Sequence, residues 1–115
     1  MIGPKSNVRV WVACGMVDMR KGIHSLAGTV QEKLQANPFN GHIFIFRGRQ
    51  GSLCKALWWD GNGFCLLTKR LERGRFVWPQ TEDGKLSLTW SQLSLLLDGF
   101  DWRQPVETWK PTRAA

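Results

Sequence analysis

The sequence has no tyrosine, only two histidines, three cysteines and no long apolar run. The cysteines, Cys14, Cys54 and Cys65, do not have the spacing of a disulfide framework or a zinc site. No stretch approaches the roughly 20 apolar residues that a membrane-spanning helix needs. The polar start MIGPKSNVRV does not predict a secretory signal. We therefore expect a cytoplasmic protein without disulfides and without a membrane partner.

Groups for catalysis are also scarce, with nine acidic residues against sixteen basic ones. Metal-dependent phosphoryl transfer needs two or three carboxylates that converge on metal ions. The candidates Asp18, Asp60 and Glu72 fall at a predicted helix start, in a turn and between arginines. The sequence does not place His24 or His42 beside a cysteine, as a catalytic Cys-His pair would require. We predict no enzyme, no catalytic residue, no metal and no cofactor. A metal-dependent nuclease that uses the three carboxylates is the weaker alternative.

The chain of 115 residues, with 43% hydrophobic and 22% charged residues, predicts a single domain with its own core. Apolar periodicity predicts a helix over 19–35, with Asp18 as its N-cap, and a helix over 89–98. A capping box of Thr89 and Gln92 begins the second helix. The predicted strands are 8–12, 42–47, 52–59, 64–70, 75–78 and 85–88. The prediction is an α+β domain: an antiparallel β-sheet of four to six strands with two helices packed on it.

Two hairpin turns, at 49–50 and 62–63, set the expected register of the central strands. In that register Lys55 lies opposite Arg70 on one face of the sheet. The other face, with Cys54, Ala56 and Trp58, is the expected core. Like charges that pair across strands destabilise a sheet unless an anion neutralises them. Two interpretations stay open: Lys55 and Arg70 hold a phosphate, or both side chains extend into water.

Positive charge is concentrated in residues 41–78, which have seven basic and two acidic residues. Residues 1–40 have a net charge of +3, and residues 79–115 have a net charge of −1. A basic β element with interleaved aromatic residues is typical of nucleic-acid binding. No helix-turn-helix or zinc-finger pattern indicates base-specific reading. The predicted DNA-binding residues are Arg47, Arg49, Lys55, Lys69, Arg70, Arg73 and Arg75.

The C-terminal segment contains two of the seven tryptophans, Trp102 and Trp109, in a stretch without helical or strand periodicity. We expect a folded core over about 8–102 and an extended tail over 103–115. Large aromatic side chains on such a tail are either anchors that fold back onto the domain or contacts for a partner. We predict that Trp102 and Trp109 bind a partner.

Two strings, LWWDG within LWWDGNGFCL at 57–66 and KRLERGRFVWP at 69–79, are long, rich in tryptophan and rare, and VRVW at 8–11 accompanies them. With them, nearly the whole chain resembles the small accessory proteins called TnpB of bacterial insertion sequences of family sixty-six. These proteins are unrelated to the RNA-guided nuclease of the same name. The resemblance implies a protein that is encoded beside a DDE-type transposase and needed for efficient transposition. That family supplies no agreed catalytic residues.

The resemblance and the charge pattern together predict an accessory role in DNA transposition, with DNA and the transposase of the same element as partners. The competing hypothesis is a pure protein–protein adaptor, in which the tryptophans form the interface and the charge serves only solubility.

Overall fold

A computed structural model describes residues 7–81 and 83–103. Its strands and helices follow one another as β1 (Val10–Met16), α1 (Ile23–Glu32), β2 (Ile43–Arg47), β3 (Leu53–Trp59), β4 (Phe64–Arg70), β5 (Lys85–Leu88) and α2 (Trp90–Leu97). The strands form one sheet in the order β4-β3-β2-β1-β5. The predicted α+β fold with two helices is confirmed. The sheet is mostly antiparallel, but β1 and β2 are parallel, because α1 crosses between them.

Both faces of the sheet are covered. On one face, Phe44 and Phe46 of β2 pack with Leu26 and Val30 of α1. On the other face, the alternate residues of β2 and β3 pack against α2 and against the irregular segment 71–79. The face with Cys54 and Ala56 is buried, as predicted. The face that contains Lys55 is covered as well, by α1. Strand β2 is therefore buried on both sides, with only Arg47 partly exposed.

The first helix begins at Ile23, four residues later than predicted, and Asp18 is not its N-cap. The residue before the helix is Gly22, which provides no side-chain cap. Asp18 instead accepts a hydrogen bond from the Arg20 backbone N–H at 2.9 Å, and its carbonyl accepts one from Lys21 N–H at 3.0 Å. Because these bonds close a turn around Asp18, the chain reverses direction before the helix starts.

The predicted register of the central hairpins was wrong by two residues. Phe44 faces Leu57, and Lys55 faces Thr68 rather than Arg70. A shift by two residues keeps every side chain on its predicted face, since side chains alternate with a period of two. Lys55 and Arg70 therefore share a face but are not opposite each other, and the expected pair of like charges does not form.

The second helix follows its prediction closely. Thr89 Oγ1 accepts a hydrogen bond from Gln92 N–H at 3.0 Å, and Gln92 Oε1 accepts one from Thr89 N–H at 2.9 Å, which confirms the capping box. Segment 75–78 is not the predicted strand. It crosses the α2 side of the sheet instead, because Phe76 and Trp78 are buried there. Within the described residues, neither helix has the length and apolar character needed to cross a bilayer.

Candidate nucleic-acid interface

One end of the sheet gathers four of the predicted DNA-binding arginines. Strands β1, β2 and β4 finish at this end, and β3 and β5 begin there. Arg47 is the last residue of β2, Arg49 lies in the following turn, and Arg73 and Arg75 lie after β4. We call these four residues and the loops that hold them the arginine end. Arg49, Arg73 and Arg75 are exposed, and Arg47 is half-buried.

Arg47 is held in place by an aromatic ring. Its guanidinium carbon lies 5.5 Å from the centre of the Trp78 ring, a cation–π geometry. Its Nε donates a hydrogen bond to the Gly48 carbonyl at 3.2 Å. Burial lowers the pKa of the Arg47 guanidinium, and the positive charge of Arg75 lowers it further. Two cations therefore lie near each other, and one of them, Arg47, is partly withdrawn from water.

Gly51 explains how Arg75 reaches this position. The Gly51 carbonyl accepts hydrogen bonds from the Phe76 backbone N–H and from the Trp78 indole Nε1, both at 3.0 Å. Gly51 has a φ of +79°, and a Cβ atom added there would lie 2.6 Å from Arg75 Nε. The positive φ thus favours glycine at this position, and a side chain here would displace the guanidinium that packs on it.

Arg47 and Arg75 line a common cleft of about 910 Å³. Lys33, the residue after α1, and Asp83 also line it. In the part of the chain that the structure describes, ion pairs join only Asp18 to Arg20 and Asp101 to Arg103. The four arginines of the arginine end therefore have no carboxylate partner among residues 7–81 and 83–103. Such an arrangement is suited to an anion, since arginine offers paired donors to phosphate.

A second cleft, of about 560 Å³, lies beside Arg49 and is also lined by Arg20. Arg20 is not among the residues that the sequence predicted to bind DNA. Its side chain donates to both Asp18 oxygens, at 2.7 Å in the shortest contact, and these hydrogen bonds hold the pKa of the Asp18 carboxyl well below its ordinary value. Arg20 is thus already neutralised, and it adds little net charge to the arginine end.

The other three predicted DNA-binding residues lie away from the shared cleft. Lys55 Nζ donates to the Lys21 carbonyl at 2.9 Å, on the α1 side of the sheet. Lys69 Nζ donates to the Leu97 carbonyl at 2.6 Å, on the α2 side. A cation at the C-terminal end of a helix is stabilising. Arg70 is exposed on the outer strand β4. Both lysine ammonium groups therefore stabilise the fold.

Trp102 is an anchor of the core rather than an exposed contact. It is buried with the α2 side of the sheet, and its indole Nε1 donates to the Val77 carbonyl at 2.6 Å. Its own carbonyl accepts a hydrogen bond from Gln92 Nε2 at 3.3 Å. Of the two alternatives for this tryptophan, the structure supports the anchor. Trp109 lies outside the described residues.

The carboxylates considered for a nuclease do not come together. Asp18 pairs with Arg20, and Asp60 accepts hydrogen bonds from the backbone of its own turn and from Cys65 Sγ. Among the described residues, no three histidine, cysteine, aspartate or glutamate side chains are close enough to hold a metal ion. Burial raises the pKa of the Cys54 thiol to about 12, so this cysteine is not an activated nucleophile.

Sequence reasoning missed a cluster of three rings at the opposite end of the sheet. The ring centres of Phe39, Trp59 and Phe64 lie 5.0–5.1 Å apart. Phe39 remains 51% exposed. We call this cluster the aromatic end. Trp59 and Phe64 flank a turn that was predicted, but Phe39 joins them only because the loop before β2 folds toward the hairpin.

Comparison with known proteins places these features in a family. Residues 8–107 match the model of the family described as IS66 Orf2 like protein. Two proteins of Sinorhizobium fredii (strain NBRC 101917 / NGR234) are similar over nearly their whole length. Uncharacterized protein y4hO is 58% identical over 98% of each chain, and uncharacterized protein y4jC is 40% identical over the whole of both. No solved structure matches the chain. This chain belongs to the IS66 Orf2 like family of insertion-sequence proteins.

Proposed function

We propose that this protein assists transposition of its insertion sequence by binding the DNA backbone, without catalysis, at the arginine end. It acts in the cytoplasm, together with the transposase of the same element. Membership of the IS66 Orf2 like family supports a role in transposition. The observation that carries the DNA-binding part is the pair formed by Arg47 and Arg75, which share one cleft and have no carboxylate partner among the described residues.

The energetic argument for an anion starts from the half-burial of Arg47. Burial already disfavours its charge, and the charge of Arg75 adds repulsion. A phosphate group between the two guanidinium groups relieves both effects, because it supplies opposite charge and accepts hydrogen bonds from both. Exposed Arg49 and Arg73 extend the positive surface on either side, as a polyanion with regularly spaced phosphates requires.

This form of binding does not read the DNA sequence. Contacts to phosphate set position and orientation, whereas sequence is read from base edges in the grooves. The arginine end is formed by turns and a strand terminus. The helices contribute only Thr29, in the last turn of α1, to the cleft that Arg47 and Arg75 line, and one such residue does not make a recognition helix. We therefore propose similar affinity for element-end DNA and for random DNA of the same length.

The test is fluorescence anisotropy with labelled duplex DNA over a series of salt concentrations. Replacing both Arg73 and Arg75 by alanine should weaken binding roughly tenfold or more, because a hydrogen bond to a charged group contributes about 1.5–3 kcal/mol. The slope of log affinity against log salt should fall by roughly 2. Stability should change by less than about 0.5 kcal/mol, since both side chains are exposed.

The matched control replaces Arg9 and Arg103 by alanine. This variant also loses two positive charges. Arg9, however, precedes β1 at the opposite end of the sheet, and Arg103 is paired with Asp101. Its salt slope should stay at the wild-type value. Equal losses in the two double variants would mean that overall charge, and not the arginine end, controls binding.

A second candidate function, contact with the transposase, is favoured by the aromatic end. Phe39 is exposed and packs on two further rings, as the central residues of protein interfaces do. Phe39→Ser should reduce co-purification of the transposase from nuclease-treated extracts. The control is Leu86→Ser on β5, an exposed apolar residue away from the cluster. Equal capture by both variants would exclude the aromatic end as the contact.

A further inference from the structure

Strand β4 leaves one edge of the sheet open. It is the outermost strand, and it pairs with β3 over seven consecutive residues without a shift in register. The opposite edge is β5, which has only four residues. Long, regular edge strands are rare in native sheets because their unpaired backbone groups attract another strand. The two edges of this sheet therefore differ in their capacity to pair.

The hydrogen bonds at the two ends of the hairpin show which groups of β4 face outward. Leu71 N–H donates to the Ser52 carbonyl at 2.9 Å, and Asp60 N–H donates to the Gly63 carbonyl at 3.0 Å. In an antiparallel pair, hydrogen-bonded positions recur at every second residue. The odd-numbered residues of β4 thus bond to β3. The residues whose N–H and carbonyl groups point away from β3 are Phe64, Leu66, Thr68 and Arg70.

This edge has little of the usual protection against pairing, since its one exposed charged side chain, Arg70, lies at the end of the strand. Native edges are commonly blocked by proline, by a bulge or by a lysine that extends into solvent. Strand β4 contains neither proline nor bulge. Its one lysine, Lys69, is bound to the Leu97 carbonyl of α2. Exposed apolar surface adjoins the edge on the same side, where Leu67 is 43% exposed and Phe100 is 60% exposed.

We propose that β4 pairs in antiparallel fashion with β4 of a second copy of this chain, with Leu67 on the two-fold axis. The outward groups then form four facing pairs, which exchange about eight backbone hydrogen bonds. Phe64 faces Arg70 of the partner subunit, and Leu66 faces Thr68 of the partner subunit. Leu67 meets its own counterpart at a position where the backbones approach closely. The product is a continuous sheet of ten strands, five from each copy.

Charge explains why a second copy fits this edge. In the register centred on Leu67, Lys69 faces an uncharged cysteine and Arg70 faces a phenylalanine ring, an arrangement that favours a cation. A register centred on Lys69 would place the two lysines opposite each other, which is destabilising. The register centred on Leu67 is thus self-complementary, and it is the one that pairs all four outward residues of each strand. This proposal concerns the DNA-free protein and is independent of the proposed function.

The first test is molar mass in solution, by sedimentation equilibrium without DNA at about 100 μM protein. The wild-type protein should have twice the monomer mass of 13.1 kDa. Thr68→Pro should be monomeric, because proline removes an outward N–H without removing a bond to β3. Thr68→Val keeps that N–H and should remain dimeric. A monomeric wild type, or a folded Thr68→Pro dimer, would overturn the proposal.

The second test examines the register by cross-linking, in a Cys65→Ser background. Leu67→Cys should form a disulfide between subunits under mild oxidation, because facing residues at a non-hydrogen-bonded position approach within disulfide distance. Thr68→Cys is the matched control. It faces Leu66 of the partner subunit and should stay reduced. Cross-linking of both variants at equal rates, or of Thr68→Cys alone, would reject pairing centred on Leu67.

Discussion

The two ends of the sheet expose different side chains and hold them in different ways. At the arginine end, Arg47 is fixed by the Trp78 ring, and Arg75 packs on the backbone at Gly51. At the aromatic end, Phe39, Trp59 and Phe64 pack on one another. The first arrangement leaves the arginines without an ion pair among the described residues, and the second keeps rings partly in solvent. One sheet thereby offers a surface suited to an anion at one end and a surface suited to an apolar partner at the other.

The comparison also separates charge that acts on a partner from charge that stabilises the fold. All seven predicted DNA-binding residues lie in one basic stretch of sequence. Only arginines at the end of β2 and in the loops converge, however, whereas Lys55 and Lys69, inside β3 and β4, bind backbone carbonyls on opposite faces of the sheet. A basic residue within a strand is directed to one face by its position, while a basic residue in a turn remains available to a partner.

Removal of the Trp78 ring beneath Arg47 should cause the largest loss in the free energy of unfolding. Trp78→Ala deletes a buried side chain and its hydrogen bond to Gly51, and should lower the free energy of unfolding by about 3–5 kcal/mol. Chemical denaturation measures this loss. Phe39→Ala, at the aromatic end, is the comparison and should cost far less because Phe39 is exposed. Similar losses of unfolding free energy in Trp78→Ala and Phe39→Ala would contradict the view that the arginine end is anchored in the core and the aromatic end is not.

A substitution at Gly51, where Arg75 packs on the backbone, should cause an intermediate loss in the free energy of unfolding. Gly51→Ala forces a left-handed conformation on a residue with a side chain and displaces the Arg75 guanidinium, at a cost of about 1–3 kcal/mol. Gly84→Ala is a close control, since Gly84 has a φ of +78° with no atom near the added Cβ. Both variants should lose stability, but only Gly51→Ala should also weaken DNA binding in the anisotropy measurement.

The smallest loss in the free energy of unfolding should come from a substitution of Lys69, which lies outside both the arginine end and the aromatic end. Lys69→Met removes the cation that binds the last turn of α2, and should reduce the free energy of unfolding by about 1 kcal/mol. DNA affinity should fall much less than in Arg75→Ala, although each variant loses one charge. Thermal unfolding and anisotropy measure the two effects. A DNA-binding loss equal to that of Arg75→Ala would assign Lys69 to the interface.

Local signals predicted much of the fold. The capping box at Thr89, the helix period after Ile23 and the turn at Asn62-Gly63 each depend on residues close in sequence, and each marks an element that the structure contains. The helix start near Asp18 was wrong, because a carboxylate that caps a turn and one that caps a helix look alike in sequence. The hairpin register was wrong by two residues because each turn is centred one residue from its predicted position; the second, closed by Asp60 and Gly63, is centred on Gly61-Asn62.

What the sequence by itself determined was the composition of each strand face, the second helix with its cap, and the concentration of positive charge between residues 41 and 78. These properties follow from alternation, from short-range hydrogen bonds and from residue counts. Only the tertiary structure decided that β1 and β2 are parallel, that Arg47 and Arg75 share a cleft, that Phe39 joins two distant rings and that Trp102 is buried. Each of these depends on which segments pack together across the sheet. Packing depends on the shape and burial of side chains far apart in sequence, which no local pattern records.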